Sequence, residues 1–332
     1  MTQSKTGALI RHVSFFMPQR VVDGPSNQSL RGSNRDRWFI GPKQRRFAYP
    51  DYSAAELGSR AVKKLLAETG SDASSIDLLL YSCALNDRAK TGIGPQVRKL
   101  AGLSNAIIMQ VDTGCTSYLS LLKVADALLG DTRYHKAVLL TVTDFISRLD
   151  DFQLNPKSAV LGDGASASLV ERGQSSIIAS YEQVRGDNFG LMVCEPKKTD
   201  GVKKPFSVAC PGPLQIEFSR AMLRRLREDS ITSVVSAVEV AIEKSGLNKS
   251  DIDFFLSHQP NMGLIGEWRE RLGFKSNQVH DTFELFGNLF QSSIPITLAH
   301  GLAHKIIKKG DMIAAGTFSN GADFVCSMVF RI

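Results

Sequence analysis

The apolar positions of this chain follow two periods, one of strands and one of helices. Ala8 to Phe16 reads as a first strand, stopped by Pro18. Ser53 and Glu56 form an S-x-x-E capping box, and the helix it opens carries Leu57, Ala61 and Leu65 on one stripe, with Val62 and Leu66 beside them, as far as Gly70. Ile76 to Tyr81 is a continuous apolar run of strand length, the pattern of a strand covered on both faces. A helix over 96–101, a buried strand over 106–111, a helix over 116–129 and a strand over 137–142 follow. Residues 171–215 are less regular. Lys197, Lys198, Lys203 and Lys204 mark an exposed loop there, and Pro211 and Pro213 hold off helix until about Ile216. The helical pattern then runs to Ser245. A strand over 252–257, a helix, a strand near 279–285, a long helix and strand structure to Phe330 complete the pattern.

The chain repeats itself. Residues 61–80 align without a gap on residues 237–256, at an offset of 176, and seven of the twenty paired positions are identical: Ala61/Ala237, Val62/Val238, Gly70/Gly246, Ser74/Ser250, Ile76/Ile252, Asp77/Asp253 and Leu80/Leu256. The order of elements is shared by both halves, and a Gly-Asp pair follows the long helix in each, at 130–131 and 310–311. Two such halves can pack their sheets against shared central helices, giving one layered body.

Composition narrows the class. With 43% hydrophobic and 22% charged residues, disorder, collagen and coiled coil are excluded. No apolar run approaches the roughly twenty residues of a membrane span, and the N-terminus lacks the pattern of a secretory signal. The five cysteines, Cys83, Cys115, Cys194, Cys210 and Cys326, form no CxxC pair and no metal spacing, so no metal is expected and a reducing cytoplasm is the expected compartment. The net charge of +7 favours anionic partners. Aromatic residues are not interleaved with basic ones as in a single-strand binding groove, so nucleic acid is not expected.

The duplication places three polar residues in related loops, at the ends of strands where chemistry in α/β sheets usually lies. Cys115 follows the strand at 106–111 and precedes a helix, a position expected to favour the thiolate. His258 directly follows the strand at 252–257. Asn288 follows the expected strand at 279–285 and precedes a helix. Its amide can hold a carbonyl oxygen while charge develops on it. A Cys-His-Asn set of this kind serves covalent acyl transfer.

Five segments carry a resemblance: DTGCTS around Cys115, LGDGASASLV at 161–170, HQPNMGLI at 258–265, FGNLFQSSIP at 286–295 and GTFSNGADF at 316–324. In content and order they resemble ketoacyl-ACP synthase III of the thiolase superfamily. The resemblance implies a thiolase-like α/β fold, two βαβαβαββ halves in a layered αβαβα body. The N-terminal half, 1–170, would bear the nucleophilic cysteine, and the C-terminal half, 171–332, the histidine and asparagine. It further implies that Cys115 takes the acyl group of a thioester, and that His258 and Asn288 hold the carbonyl of a malonyl-type thioester during decarboxylation and Claisen condensation. The oxyanion hole for the acyl carbonyl would be the N–H of Cys115 with one from Gly321 or Ala322, and Gly162, Asp163 and Gly164 would be structural.

The departures from that family are informative. Its adenine-clamping tryptophan and arginine correspond to a segment reading WFIGPKQRR, in which Trp38 stands but Pro42 replaces the arginine, so Trp38, Arg45 and Arg46 become the candidate coenzyme A contacts. Gly263 stands at the position of a carrier-docking arginine, and Leu289, Phe290 and Gln291 are bulkier than their counterparts. These changes point away from a housekeeping fatty acid initiator and towards specialised metabolism. The alternatives are an acyltransferase that forms an ester, amide or ring without decarboxylation, and a non-catalytic partner of an active homologue. No tightly bound cofactor is implied. The expected partners are coenzyme A thioesters, an acyl carrier protein and a second copy in a homodimer, with a heterodimer as the alternative.

Overall fold

The computed structural model describes residues 5–24, 41–87, 91–145, 160–196, 214–217 and 220–332. Trp38, the 197–204 lysine segment, Pro211 and Pro213 lie outside them. The strands are β1 (Thr6–Phe16), β2 (Arg20–Asp23), β3 (Gln44–Phe47), β4 (Leu78–Cys83), β5 (Ile107–Gln110), β6 (Lys136–Thr143), β7 (Gly164–Gln174), β8 (Ile177–Val184), β9 (Val193–Pro196), β10 (Leu214–Glu217), β11 (Phe254–Ser257), β12 (Met312–Ser319) and β13 (Phe324–Arg331). The helices are α1 (Ala54–Thr69), α2 (Gly94–Ala101), α3 (Ser117–Gly130), α4 (Arg220–Ser245), α5 (Met262–Leu272), the single turn α6 (Phe283–Phe286) and α7 (Ser293–Ala303).

Local signals act where the sequence puts them. Ser53 and Glu56 make the reciprocal capping box, with Ser53 N–H donating to Glu56 Oε2 at 2.9 Å and Glu56 N–H to Ser53 Oγ at 3.3 Å. These bonds hold the Glu56 carboxyl below its ordinary pKa. At the other end of α1, Gly70 adopts φ 63°, the left-handed conformation that closes a helix.

Two sheets carry the fold. The first has strand order β1-β7-β6-β4-β5. The second runs β8-β13-β12-β11 and is continued by a single parallel bridge from Phe255 to Val279. Read in these directions, both have two antiparallel pairings followed by two parallel ones. The offset of 176 seen in sequence holds in the register: Leu78 pairs with Ala137 and Phe254 with Ile313. The identity Asp77/Asp253 has a physical reason. Asp77 accepts from the N–H groups of His135 and Lys136 at 2.7 and 2.9 Å, and Asp253 accepts from Met312 N–H at 2.8 Å. Each carboxylate staples the start of the neighbouring parallel strand.

Helices α3 and α7 lie between the sheets, in one core with Leu78, Leu80, Leu139 and Val170 of the first and Leu256, Ile313, Ala315 and Met328 of the second. Helices α1 and α2 cover the outer face of the first sheet, and α4 and α5 that of the second. The layers are therefore αβαβα, as expected.

Three expectations change. Strand β5 is not buried: it is the edge of the first sheet, and Ile107 is 49% exposed. The region expected to be irregular holds the end of β7 and all of β8, whose side chains are mostly half-buried and so lack a strong apolar period. No strand runs over 279–285. Val279 makes one bridge, and Thr282 then accepts from the N–H groups of Leu285 and Phe286, turning the chain into α6.

Candidate active site

The turn before α3 is built from short side-chain bonds. Asp112 Oδ1 accepts from Gly114 N–H at 2.9 Å, Ser117 Oγ accepts from Thr113 N–H at 2.9 Å, and Thr116 Oγ1 donates to the Thr113 carbonyl at 2.7 Å. Gly114 has φ 60°, and a Cβ there would lie 2.1 Å from Ser319 Oγ, so only glycine lets this turn meet the end of β12. Cys115 is buried against that strand, its carbonyl accepting from Thr317 Oγ1 at 3.3 Å.

Position at a helix start predicts a thiolate, and the structure corrects this. Burial pushes the Cys115 thiol up to about 12, Asp112 and Asp323 act in the same direction, and the nearby backbone of Asn320 and of Cys115 itself only partly opposes them. The resting group is a neutral thiol.

His258 leaves β11 with its N–H donating to the Gly316 carbonyl at 3.2 Å. Its ring meets Phe318 edge-on, with centroids 5.8 Å apart. Burial lowers its pKa to about 3, opposed by a hydrogen bond to the backbone of Phe290, and Nδ1 is buried without a hydrogen-bond partner. The imidazole is therefore neutral at ordinary pH. The next polar residues of HQPN are structural. Gln259 bridges the Ser257 carbonyl and the Thr282 N–H, and Asn261 caps α5 by accepting from Leu264 N–H at 2.8 Å.

Asn288 follows α6, not a strand. Its N–H donates to the Val160 carbonyl at 2.6 Å, and its carbonyl accepts from Gly162 N–H at 3.1 Å. A Cβ on Gly162 would lie 2.2 Å from the Phe286 carbonyl oxygen, which accounts for that glycine. Asn288 Oδ1 accepts from Phe290 N–H at 2.9 Å, which directs the NH₂ end of the amide elsewhere. Phe290 holds this arrangement in a left-handed backbone, φ 46°, with its ring 5.1 Å from that of Phe145.

The three residues converge through two shared supports. Gly316 and Thr317, neighbours on β12, hold His258 and Cys115. Phe290 receives both the His258 ring and the Asn288 amide oxygen. Phe290 escaped the sequence reading as more than a bulky substitution, because its role is carried by its backbone.

Of the two N–H groups expected beside that of Cys115, Ala322 N–H is committed to the Ser319 carbonyl at 2.8 Å. One other assignment is corrected. Arg45 does not face a coenzyme. It is 2% exposed, bonds the Leu161 carbonyl at 3.3 Å and lies 5.3 Å from the Phe47 ring centroid. Burial lowers its pKa to about 10, with Asp163 opposing. Arg45 thus braces the 161–163 segment on which Asn288 rests. Arg46 is half-buried and donates to the carbonyls of Pro18 and Gln19, each at 3.4 Å.

Among the described residues, no helix is long and apolar enough to cross a membrane, and no group of three or more His, Cys, Asp or Glu side chains could hold a metal ion.

Comparison with known proteins places this architecture. The family model 3-Oxoacyl-[acyl-carrier-protein (ACP)] synthase III matches residues 109–186, and its C-terminal companion matches residues 242–332; together they span just over half of the chain. The chain belongs to the ketoacyl-ACP synthase III family of thiolase-like condensing enzymes, and is an acyltransferase working on acyl thioesters. A β-ketoacyl-[acyl-carrier-protein] synthase III of Caulobacter vibrioides is 24% identical over 320 residues, covering 95% of this chain and 96% of its own. One of Actinobacillus pleuropneumoniae is 26% identical over 289 residues, covering 86% and 88%. In fold, the chain is similar to the priming β-ketosynthase of the R1128 polyketide biosynthetic pathway, with a TM-score of 0.85, 20% identity and coverage of 100% and 98%.

Proposed function

We propose that Cys115 takes an acyl group from a thioester and that His258 and Asn288 then hold the carbonyl of a malonyl-type thioester for decarboxylative condensation. The observation that carries this reading is the convergence of Cys115 and His258 on adjacent residues of β12, with Asn288 joined to His258 through Phe290. In the first step the donor's acyl C–S bond breaks and a C–S bond to Cys115 forms. The thiol proton ends on the departing thiol. The N–H of Cys115, with that of Gly321, holds the acyl oxygen as charge develops on it. In the second step the malonyl carboxylate leaves as CO₂, and the enolate carbon bonds to the acyl carbon. The C–S bond to Cys115 breaks, and the sulfur regains a proton from solvent.

A neutral His258 suits the second step. Its ring can donate a hydrogen bond to the carbonyl oxygen beside the Asn288 amide, and no charge is buried when the site is empty.

Coenzyme A or an acyl carrier protein delivers the thioesters. The bulk of Leu289, Phe290 and Gln291, and Gly263 where the family carries arginine, favour a role in specialised metabolism, alongside the priming ketosynthase that the fold resembles. The proposed assembly is a dimer. The exposed edge of β5 offers unpaired backbone to the same strand of a second copy. Intact-protein mass after exposure to a panel of acyl thioesters, followed by CO₂ release from malonyl thioesters, tests the reading. An acylated enzyme that never releases CO₂ would replace condensation by simple acyl transfer.

A further inference from the structure

Asn288 leans on a short segment that is itself held from its far side. The Asn288 N–H donates to the Val160 carbonyl at 2.6 Å, its carbonyl accepts from Gly162 N–H at 3.1 Å, and Leu161 pairs with it in a parallel bridge. The residue before it lies flat on the same segment: a Cβ on Gly287 would stand 2.6 Å from the Val160 carbonyl oxygen. With Asn288 Oδ1 bonded to Phe290 N–H at 2.9 Å, the direction of the amide NH₂ follows from this backbone. Where residues 160–162 lie, the amide points.

The far side of the segment is β3 and the residue after it. Asp163 N–H donates to the Arg46 carbonyl at 2.8 Å, and Asp163 Oδ2 accepts from Ala48 N–H at 2.9 Å. Both bonds act one residue beyond Gly162. At Leu161, the residue paired with Asn288, the link is a side chain: Arg45 Nη1 donates to the Leu161 carbonyl at 3.3 Å. The guanidinium is 5.3 Å from the Phe47 ring centroid, and Arg45 is 2% exposed. An apolar side chain could pack on Phe47 without the cost of burying a cation. What the guanidinium adds is a donor on the carbonyl of the residue that pairs with Asn288.

We propose that Arg45 is a positioning residue for decarboxylation: by holding the Leu161 carbonyl it fixes the 160–162 segment, and through it the direction of the Asn288 amide. The inference rests on Asn288 holding the malonyl carbonyl. Arg45 acts through Asn288 and not through Cys115, whose carbonyl is held separately by Thr317.

The test separates transfer of an acyl group to Cys115, which does not use the Asn288 amide, from release of CO₂ from a malonyl thioester, which does. Rates are taken per folded molecule, with the folded fraction read from circular dichroism. Arg45→Met keeps an apolar stem on Phe47 and loses the donor. It should lower kcat for CO₂ release at least about tenfold, within the 10²–10³ loss expected when a carbonyl-holding donor is removed outright. KM for the malonyl thioester and the rate of acyl loading should each stay within about threefold, since remote binding is untouched. The decisive comparison is made in Asn288→Ala. With no amide left to aim, adding Arg45→Met should slow CO₂ release by less than about twofold more. A residue needed only for folding would slow both backgrounds alike. Arg45→Lys keeps the charge and loses the fixed fork of the guanidinium. It carries the same comparison if the methionine variant does not fold, with an expected loss of about threefold or more in CO₂ release. The inference is overturned if the folded variant releases CO₂ at the wild-type rate, if the whole loss lies in KM, if loading falls in step, or if the loss is undiminished in Asn288→Ala. A wild type that releases no CO₂, or an Asn288→Ala variant that releases it normally, overturns the underlying reading as well. A slow Asn288→Ala beside a normal Arg45 variant overturns this inference alone.

Discussion

Asp77 and Asp253 lie 176 residues apart and do the same work, each tying down the start of a parallel strand. Ser82 and His258 have the same spacing and share nothing but position. Both are buried at the far ends of β4 and β11, yet one is a hydroxyl without a hydrogen-bond partner and the other an imidazole on Phe290. The two halves thus agree where their strands begin and part company where they end. A duplicated α/β scaffold can keep its register at one rim while the opposite rim, where ligands bind, diversifies. Here Cys115 follows the last strand-end residues of β5 in one half, while His258 and Asn288 lie in the other.

The sharpest way to break this division is at the proposed nucleophile, Cys115. Cys115→Ser should lower turnover on the order of 10³-fold or more, and peptide mapping of the wild type should find the acyl mass on the peptide containing Cys115. Acyl mass on Cys83 or Cys326 would move the nucleophile to another part of the scaffold. Next come the residues of the second half. His258→Ala and Asn288→Ala should still load the acyl group, yet release CO₂ from a malonyl thioester about 10²–10³-fold more slowly. Equal loss of loading and decarboxylation would erase the division of labour.

Arg45→Ala should destabilise the protein by about 3 kcal/mol in urea unfolding, because it strips a buried cation from the segment under Asn288. Arg46→Ala should cost less than about 1 kcal/mol, since Arg46 is only half-buried. The reverse order would return Arg45 to the surface role expected from sequence. For the shared rim, Asp77→Ala should cost about 2–3 kcal/mol and Asp253→Ala about 1–2 kcal/mol, as the first leaves two backbone donors without their acceptor and the second leaves one.

The smallest effect is a flat one. With His258 lowered to about 3, it stays neutral from pH 5 to 9, and the decarboxylation rate should show no limb near the ordinary histidine value. With Cys115 raised to about 12, its alkylation by iodoacetamide should still be rising at pH 10. A plateau below pH 8 would mean that the thiolate is favoured after all.

What the sequence disclosed follows the range of the forces involved. The Ser53–Glu56 cap and the turn at Gly70 are local chemistry and could be read within a few residues. The duplication was legible because ungapped identity carries register with it. Cys115, His258 and Asn288 could be singled out by their places beside expected elements and by family-like segments. Strand β5 could not be told from a buried one, since an apolar run reads the same whether or not a neighbour covers it. Arg45 reads as a surface cation because Asp163 and Leu161, which bury it, lie far along the chain.

Strand β12 also bears on how the site tolerates thermal motion. Cys115 is anchored to Thr317 and His258 to Gly316, so the two groups from opposite halves are referenced to consecutive links of one strand. When the layers breathe, both are carried along together. Their mutual spacing then depends on a single peptide unit, the stiffest ruler a polypeptide has, and not on how well two independent halves stay in step.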